Sequence, residues 1–334
     1  MIGRKDALSD VLEALRIKGS VLLHEAYLPP WAVSVPAADA LAPLLGAGEY
    51  SWPVAFHYVE RGQCDIALQS GEIATLDAGD LAICFAGQAH RIGAGNPLMT
   101  VPVAELMGGR HNPFRPAAHG PRGTLLVCGA FLLDDLRLTP LWAALPPLLH
   151  VRHEPGDAPG HWRELTQLLS TELARPTVAS SYIVGRLLEV LCADAIRRHA
   201  CDSSMATGWL SALRDAVVSK SMTLIHQQPG KAWTVEGLAQ AVALSPSRFA
   251  ARFTATVGLS PMAYVTAWRM QQAIRLLADG QLTPSRVAAQ VGYDSAAAFS
   301  RAFRRHVGDS PSAVRKRMQN SSAMPMELHR NRSA

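Results

Sequence analysis

Residues 249–261 read FAARFTATVGLSP and residues 299–311 read FSRAFRRHVGDSP. The shared frame is Phe249-x3-Phe253-x4-Gly258-x-Ser260-Pro261 against Phe299-x3-Phe303-x4-Gly308-x-Ser310-Pro311, a duplication at an offset of 50 residues. Upstream the echo continues at an offset of 49, with Leu238-Ala239-x2-Val242 against Val287-Ala288-x2-Val291. A Phe pair four apart lies on one helical face, where it packs on the Leu/Val and Ala of a preceding helix. Each copy therefore reads as helix, turn, helix, with Ala239 and Ala288 at the close crossing and Ala243-Leu244-Ser245 or Gly292-Tyr293-Asp294-Ser295 as the turn. Gly258 and Gly308 are the expected C-terminal stops, and each Ser-Pro that follows is an N-cap and first-turn pair that opens another helix. Between the copies, Ser260 to Asp279 reads as one connecting helix that ends at Gly280.

Charge divides the chain in the same place. From Met205 onward there are 16 Lys and Arg against 6 Asp and Glu, a net of +10, whereas the first 204 residues carry a net of −5. A basic module with two helix-turn-helix units on a rigid connector suits two successive major-groove contacts on one face of duplex DNA, about 34 Å apart.

These residues, together with Trp233-Thr234-Val235-Glu236-Gly237, Trp268-Arg269-Met270 and Val291-Gly292-Tyr293-x-Ser295, resemble the AraC/XylS family of transcriptional regulators. The resemblance implies a C-terminal all-α DNA-binding domain, promoter DNA and RNA polymerase as partners, a homodimeric state and a role as an activator. With Phe249 and Phe253 inward, Ser247, Arg248, Ala250, Ala251 and Thr254 lie on or beside the outward face of the first reading helix. The resemblance places base contacts at Ser247, Ala250 and Ala251, which are small here, so this unit reads by apolar contact with thymine methyls or by backbone positioning. The second outward set is Ala297, Ser300, Arg301 and Arg304. Arg301 is the leading base-contact residue, because an arginine fork matches guanine O6 and N7. Arg252, Arg269, Arg304 and Arg305 fit phosphate contact or a solvated basic face.

In the first half, apolar and polar residues alternate through 54–58, 64–68 and 81–85, with turns at Gly62, Ser70-Gly71 and Ala78-Gly79-Asp80. Short strands with regular turns predict a barrel or sandwich, hence an α+β two-domain chain. Gly79-x5-Phe85-x-Gly87-x2-His90 resembles the second cupin motif, and the half as a whole resembles the cupin-like sensor of one branch of these regulators. Residues 48–55 contain no His, so a cupin-type catalytic metal, and with it a cupin-type enzyme, is not expected. Helices are predicted over 160–173 and 182–199. In the second of these, Ile183, Leu187, Leu188, Leu191 and Ala195 form a stripe that packs on its own barrel or pairs with a twin, and the resemblance favours the twin. The domains are thus expected at 1–175 (sensor), 176–206 (dimerisation helix and linker), 207–318 (DNA binding) and 319–334 (a disordered tail).

The five cysteines have no paired spacing, and neither a signal peptide nor a long apolar run is present, which points to a reducing cytoplasm and no membrane span. Cys64, His90 and Cys128 are candidate ligands of Zn²⁺ or a redox-sensitive thiol site; the alternative is that the two thiols are simply buried. His57, Phe85 and His90 are candidates for the wall of a pocket for a small-molecule effector.

Overall fold

The computed structural model describes residues 6–48, 51–117, 123–134, 140–153, 161–202 and 208–321. The expected tail at 319–334 falls almost wholly outside these residues, as does the linker core at 203–207.

The N-terminal half opens with helix α1 (Ala7–Leu15), capped by the Asp6 carboxylate on the Ser9 amide. Strands β1 (Lys18–Tyr27) and β2 (Trp31–Val35) and helix α2 (Ala38–Leu44) follow. The three predicted strands are present as β3 (Ser51–Arg61), β4 (Gln63–Leu68) and, after an unpredicted β5 (Ile73–Asp77), β6 (Leu81–Cys84), and the half continues through β7 (His90–Ala94), β8 (Val101–Pro102), α3 (Val103–Met107), β9 (Thr124–Asp134), α4 (Pro140–Ala144) and β10 (Leu149–Val151). Two five-stranded sheets form, ordered β1-β9-β3-β6-β10 and β5-β4-β7-β2-β8. Alternation along β3 assigns the faces: Ala55 and Val59 join the core between the sheets, while Val54, Phe56 and Tyr58 join a second core beneath the helices.

Helices α5 (His161–Ala174) and α6 (Ser180–Cys201) cover that second face. Here the structure narrows the expected dimerisation stripe: Leu188, Leu191 and Ala195 are buried in the chain's own core, α6 lying against β1, while Leu187 is half-buried and Ile183 exposed. Gly19 of β1 makes this approach possible, because a Cβ there would fall 2.4 Å from Leu188 Cβ. The exposed apolar residues of α6 are Tyr182, Ile183 and Val190.

The C-terminal half is helical: α7 (Gly208–Ala212), α8 (Ala216–Gln227), α9 (Val235–Ala241), α10 (Pro246–Val257), α11 (Pro261–Ala278), α12 (Pro284–Gln290), α13 (Ala296–Val307) and α14 (Pro311–Ser321). The repeat is therefore two helix pairs, α9/α10 and α12/α13, joined by α11, whose 18 residues span roughly 27 Å at about 1.5 Å per residue. Phe249, Phe253, Phe299 and Phe303 are all fully buried, and Ala239 and Ala288 sit buried at the crossings. Gly258 and Gly308 end their helices in the left-handed region, at φ 81° and 90°, a conformation a side chain makes costly. Ser260, Ser295 and Ser310 cap as expected, whereas Ser245 makes no side-chain cap and Pro246 alone pre-sets the first turn of α10. Met270, Val287, Phe299 and Phe303 form a core of their own for the second unit, while the first unit shares its core with the barrel helices.

Candidate functional site

On α10, burial of Phe249 and Phe253 leaves Ser247, Arg248, Ala251 and Thr254 exposed and Ala250 half-buried. On α13, burial of Phe299 and Phe303 leaves Ala297, Ser300, Arg301, Arg304 and Arg305 exposed. Arg248, Arg301, Arg304 and Arg305 have no ion-pair partner among the described residues, so their guanidinium groups project as unneutralised charge from the two reading helices. His306 adds to the same C-terminal turn of α13.

Two expected contacts are redirected. Arg252 Nε donates to Asp215 Oδ2 at 2.7 Å, pinning α10 to the start of α8, whose first amides that same carboxylate caps. Arg269 is half-buried; its Nε donates to the Pro229 carbonyl and its Nη2 to that of Lys231, each at 2.8 Å, and its guanidinium lies over the Tyr293 ring. Both arginines thus tie elements of the helical domain together, Arg252 from an exposed position and Arg269 from a half-buried one. Their cationic character was legible in the sequence, whereas their carbonyl and carboxylate partners lie 37 to 40 residues away.

The barrel interior contains a buried polar cluster. His57 faces inward from β3, directly opposite Cys128 of β9, and its Nδ1 lies 3.0 Å from Cys128 Sγ. Across the gap between the sheets, His57 Nε2 lies 2.8 Å from Nε2 of His90, the first residue of β7. His90 Nδ1 is 3.1 Å from the Gln88 carbonyl, and its Nε2 is 3.8 Å from Cys84 Sγ at the end of β6. One proton arrangement satisfies the three shorter contacts: His90 Nδ1–H donates to Gln88, His57 Nε2–H donates to His90 Nε2, and the Cys128 thiol donates to His57 Nδ1. Burial, then the neighbouring His90, holds the His57 imidazole well below its ordinary 6.5, and burial likewise lowers His90. Burial pushes the Cys84 and Cys128 thiols up to about 12. At neutral pH the cluster is an uncharged hydrogen-bonded chain.

The expected set of Cys64, His90 and Cys128 is thereby changed. The ligand atoms that lie within 4.8 Å of one another belong to His57, Cys84 and His90; Cys128 touches His57 from the far side, and Cys64 stands outside the group on β4. Phe85 also leaves the expected pocket wall, because it turns away from the interior and packs edge-on against Trp142 in the helix-side core. Cys84 was not singled out from the sequence. Its role depends on the β3–β6 register, in which Ala55 opposes Cys84 and His57 opposes Ala82, so that His57 and Cys84 point to one side. Around His90 the outer wall opens into a groove of about 640 Å³ that Val35, Leu44, Leu68 and Pro102 help line.

Comparison with known proteins agrees with both halves. A cupin family profile matches residues 6–201, and a helix-turn-helix domain profile matches residues 238–317. The HTH-type transcriptional regulator AlkR of Acinetobacter baylyi is 29% identical over 93% of this chain and 99% of its own length. An AraC-like transcription regulator from Streptomyces lividans is 30% identical over 93% of this chain and 98% of its own. A crystal structure of a DNA-binding transcriptional dual regulator from Escherichia coli K-12 is 26% identical and covers 30% of this chain and 91% of its own, with a TM-score of 0.29. With a cupin barrel joined to a duplicated helix-turn-helix, and relatives matched almost end to end, the chain belongs to the AraC-like family of transcriptional regulators.

Proposed function

We propose that this regulator binds promoter DNA by laying α10 and α13 in successive major grooves, with α13 supplying the sequence readout and α10 the positioning. The observation that carries this reading is the outward face of α13, where Ser300, Arg301 and Arg304 stand opposite the buried Phe299 and Phe303 with no ion-pair partner for either arginine among the described residues. Unneutralised guanidinium groups on an exposed helix are costless in water and gain charge-assisted bonds only against an anion or a guanine edge. The barrel acts as the sensor and performs no catalysis. A small-molecule effector that prefers one arrangement of the two domains changes how the reading helices sit on DNA, a population shift. RNA polymerase and a second copy of the chain are its further partners. The free thiols, including exposed Cys201, suit the reducing cytoplasm.

Selection of a randomised duplex pool with the full chain tests the DNA reading. The expected result is enrichment of a single motif and an affinity that falls steeply with salt, each neutralised phosphate contributing about −0.9 to the log–log slope. A pool that stays random, bound with salt-independent affinity, overturns it.

A further inference from the structure

The buried His57–His90–Cys84 cluster exceeds what packing needs. Polar groups inside an apolar sandwich cost free energy even when bonded to one another, and the positions around them hold small apolar residues such as Ala55, Ala82 and Ala130. The three donors also come from three strands in two sheets, so nothing local in the chain brings them together.

We propose that His57, Cys84 and His90 form a binding site for a thiophilic transition-metal ion, with Zn²⁺ as its representative, and that Cys128 and the Gln88 carbonyl orient the two imidazoles. The reading extends the sensor role given above, and its regulatory meaning rests on that role. Two imidazoles and one thiolate form a donor set suited to Zn²⁺ or copper and foreign to Mg²⁺ or Ca²⁺. In a tetrahedral centre with bonds of about 2.0–2.3 Å, donor atoms stand roughly 3.3–3.6 Å apart. The observed 2.8 Å between the imidazole nitrogens and 3.8 Å between His90 Nε2 and Cys84 Sγ bracket that spacing, and all three donor atoms lie within 4.8 Å of one another.

The outer partners are in place. His90 Nδ1–H already donates to the Gln88 carbonyl, which fixes Nε2 as the free lone pair. His57 needs one change: its proton moves from Nε2 to Nδ1, where it donates to Cys128 Sγ, and its Nε2 lone pair turns to the metal. Cys84 gives up its thiol proton to solvent and binds as the thiolate. Counting protons, the four residues hold four without metal and three with it, so one proton leaves for each ion bound. No oxidant or reductant takes part. His90 borders the groove of about 640 Å³, which supplies a route for the ion.

Co²⁺ titration of the chelator-stripped full chain, followed by optical spectroscopy, is the test. The expected result is saturation at about one equivalent with a thiolate-to-cobalt charge-transfer band and tetrahedral d–d absorption, both displaced by Zn²⁺. Cys84→Ser abolishes the charge-transfer band, Cys64→Ser leaves it intact, and Cys128→Ala keeps the band while weakening affinity about 10- to 100-fold. Circular dichroism shows whether each variant is folded. Absence of the band in the wild-type chain, or a band that survives in folded Cys84→Ser, overturns the site. A band lost in Cys64→Ser instead moves the thiolate to the other wall and equally overturns it. No DNA is involved, so failure here is distinct from failure of the promoter-binding reading.

Discussion

Asp10 Oδ2 of α1 lies 3.4 Å from Nδ1 of His226 in α8, joining the sensor half to the DNA-binding half through a half-buried carboxylate and a buried imidazole. The imidazole stacks on Trp268 with ring centroids 3.8 Å apart, and its Nε2 meets the Tyr264 hydroxyl at 2.7 Å, which also accepts from Trp209 Nε1. The Tyr264 hydroxyl proton therefore goes to Nε2 and the ring proton sits at Nδ1, facing Asp10. A second tie, the ion pair of Arg16 and Asp279, anchors the other end of α1 beside α11. α1 leads through Arg16 and Ile17 into β1, which pairs with the Cys128 strand β9, so an unbroken run of chain and contacts joins the barrel to α11.

The first prediction concerns pH. Burial lowers the His226 imidazole below its ordinary 6.5 more than Asp10 raises it. The unfolded chain then takes up the proton first, so the stabilisation is whole above about pH 6.5 and is lost as the pH falls below it, at about 1.4 kcal/mol for each unit of difference. Thermal unfolding of the full chain should show a midpoint that drops between about pH 7.5 and 5.5, and His226→Gln should lessen that drop, the buried His57 and His90 supplying part of the remainder. An unchanged slope in the variant would remove His226 as its source.

A second prediction separates readout from attraction. Arg301→Ala should cost roughly 1–3 kcal/mol on the selected site and relax preference at one base pair, whereas Arg305→Ala should weaken all sequences about equally. Fluorescence anisotropy on matched and scrambled duplexes decides between them; equal losses in both variants on both duplexes would take Arg301 off the base edge.

Independence of the two helix-turn-helix cores gives a third. Phe303 belongs to the core of the second unit alone, so Phe303→Ala should cost about 3–5 kcal/mol there and open α12, α13 and α14 to amide exchange while α9 and α10 stay protected. Uniform loss of protection across both units would show that they share one cooperative core.

The fourth follows from the burial of α6. Leu191→Glu puts an unpaired charge into the barrel's helix-side core and should unfold the sensor half, while Val190→Glu on the exposed side should leave the melting curve nearly unchanged. A folded Leu191→Glu protein that merely dissociates would return Leu191 to a subunit interface.

The helical domain was legible because its determinants are local. Phe spacing, the small residue at each crossing, the Ser-Pro starts and the glycine stops act within a few residues of one another, and duplication states the pattern twice. The strands at 54–58, 64–68 and 81–85 were legible for the same reason, since alternation is a property of adjacent residues. What stayed hidden involves partners distant in sequence. Arg252 and Arg269 are basic in any reading, and only the fold brings Asp215 and the carbonyls of Pro229 and Lys231 to them. The apolar stripe on α6 marked a buried face correctly, but periodicity carries no information about whether a sheet or a second copy covers it; Gly19 in β1, which admits Leu188, decided that. Cys84 replaced Cys64 beside the two histidines for a similar reason. Strand register assigns each side chain to a face with a period of two, and the register is set by pairing between strands that the chain meets tens of residues apart, so sequence determined which residues could bind and tertiary structure determined which of them meet.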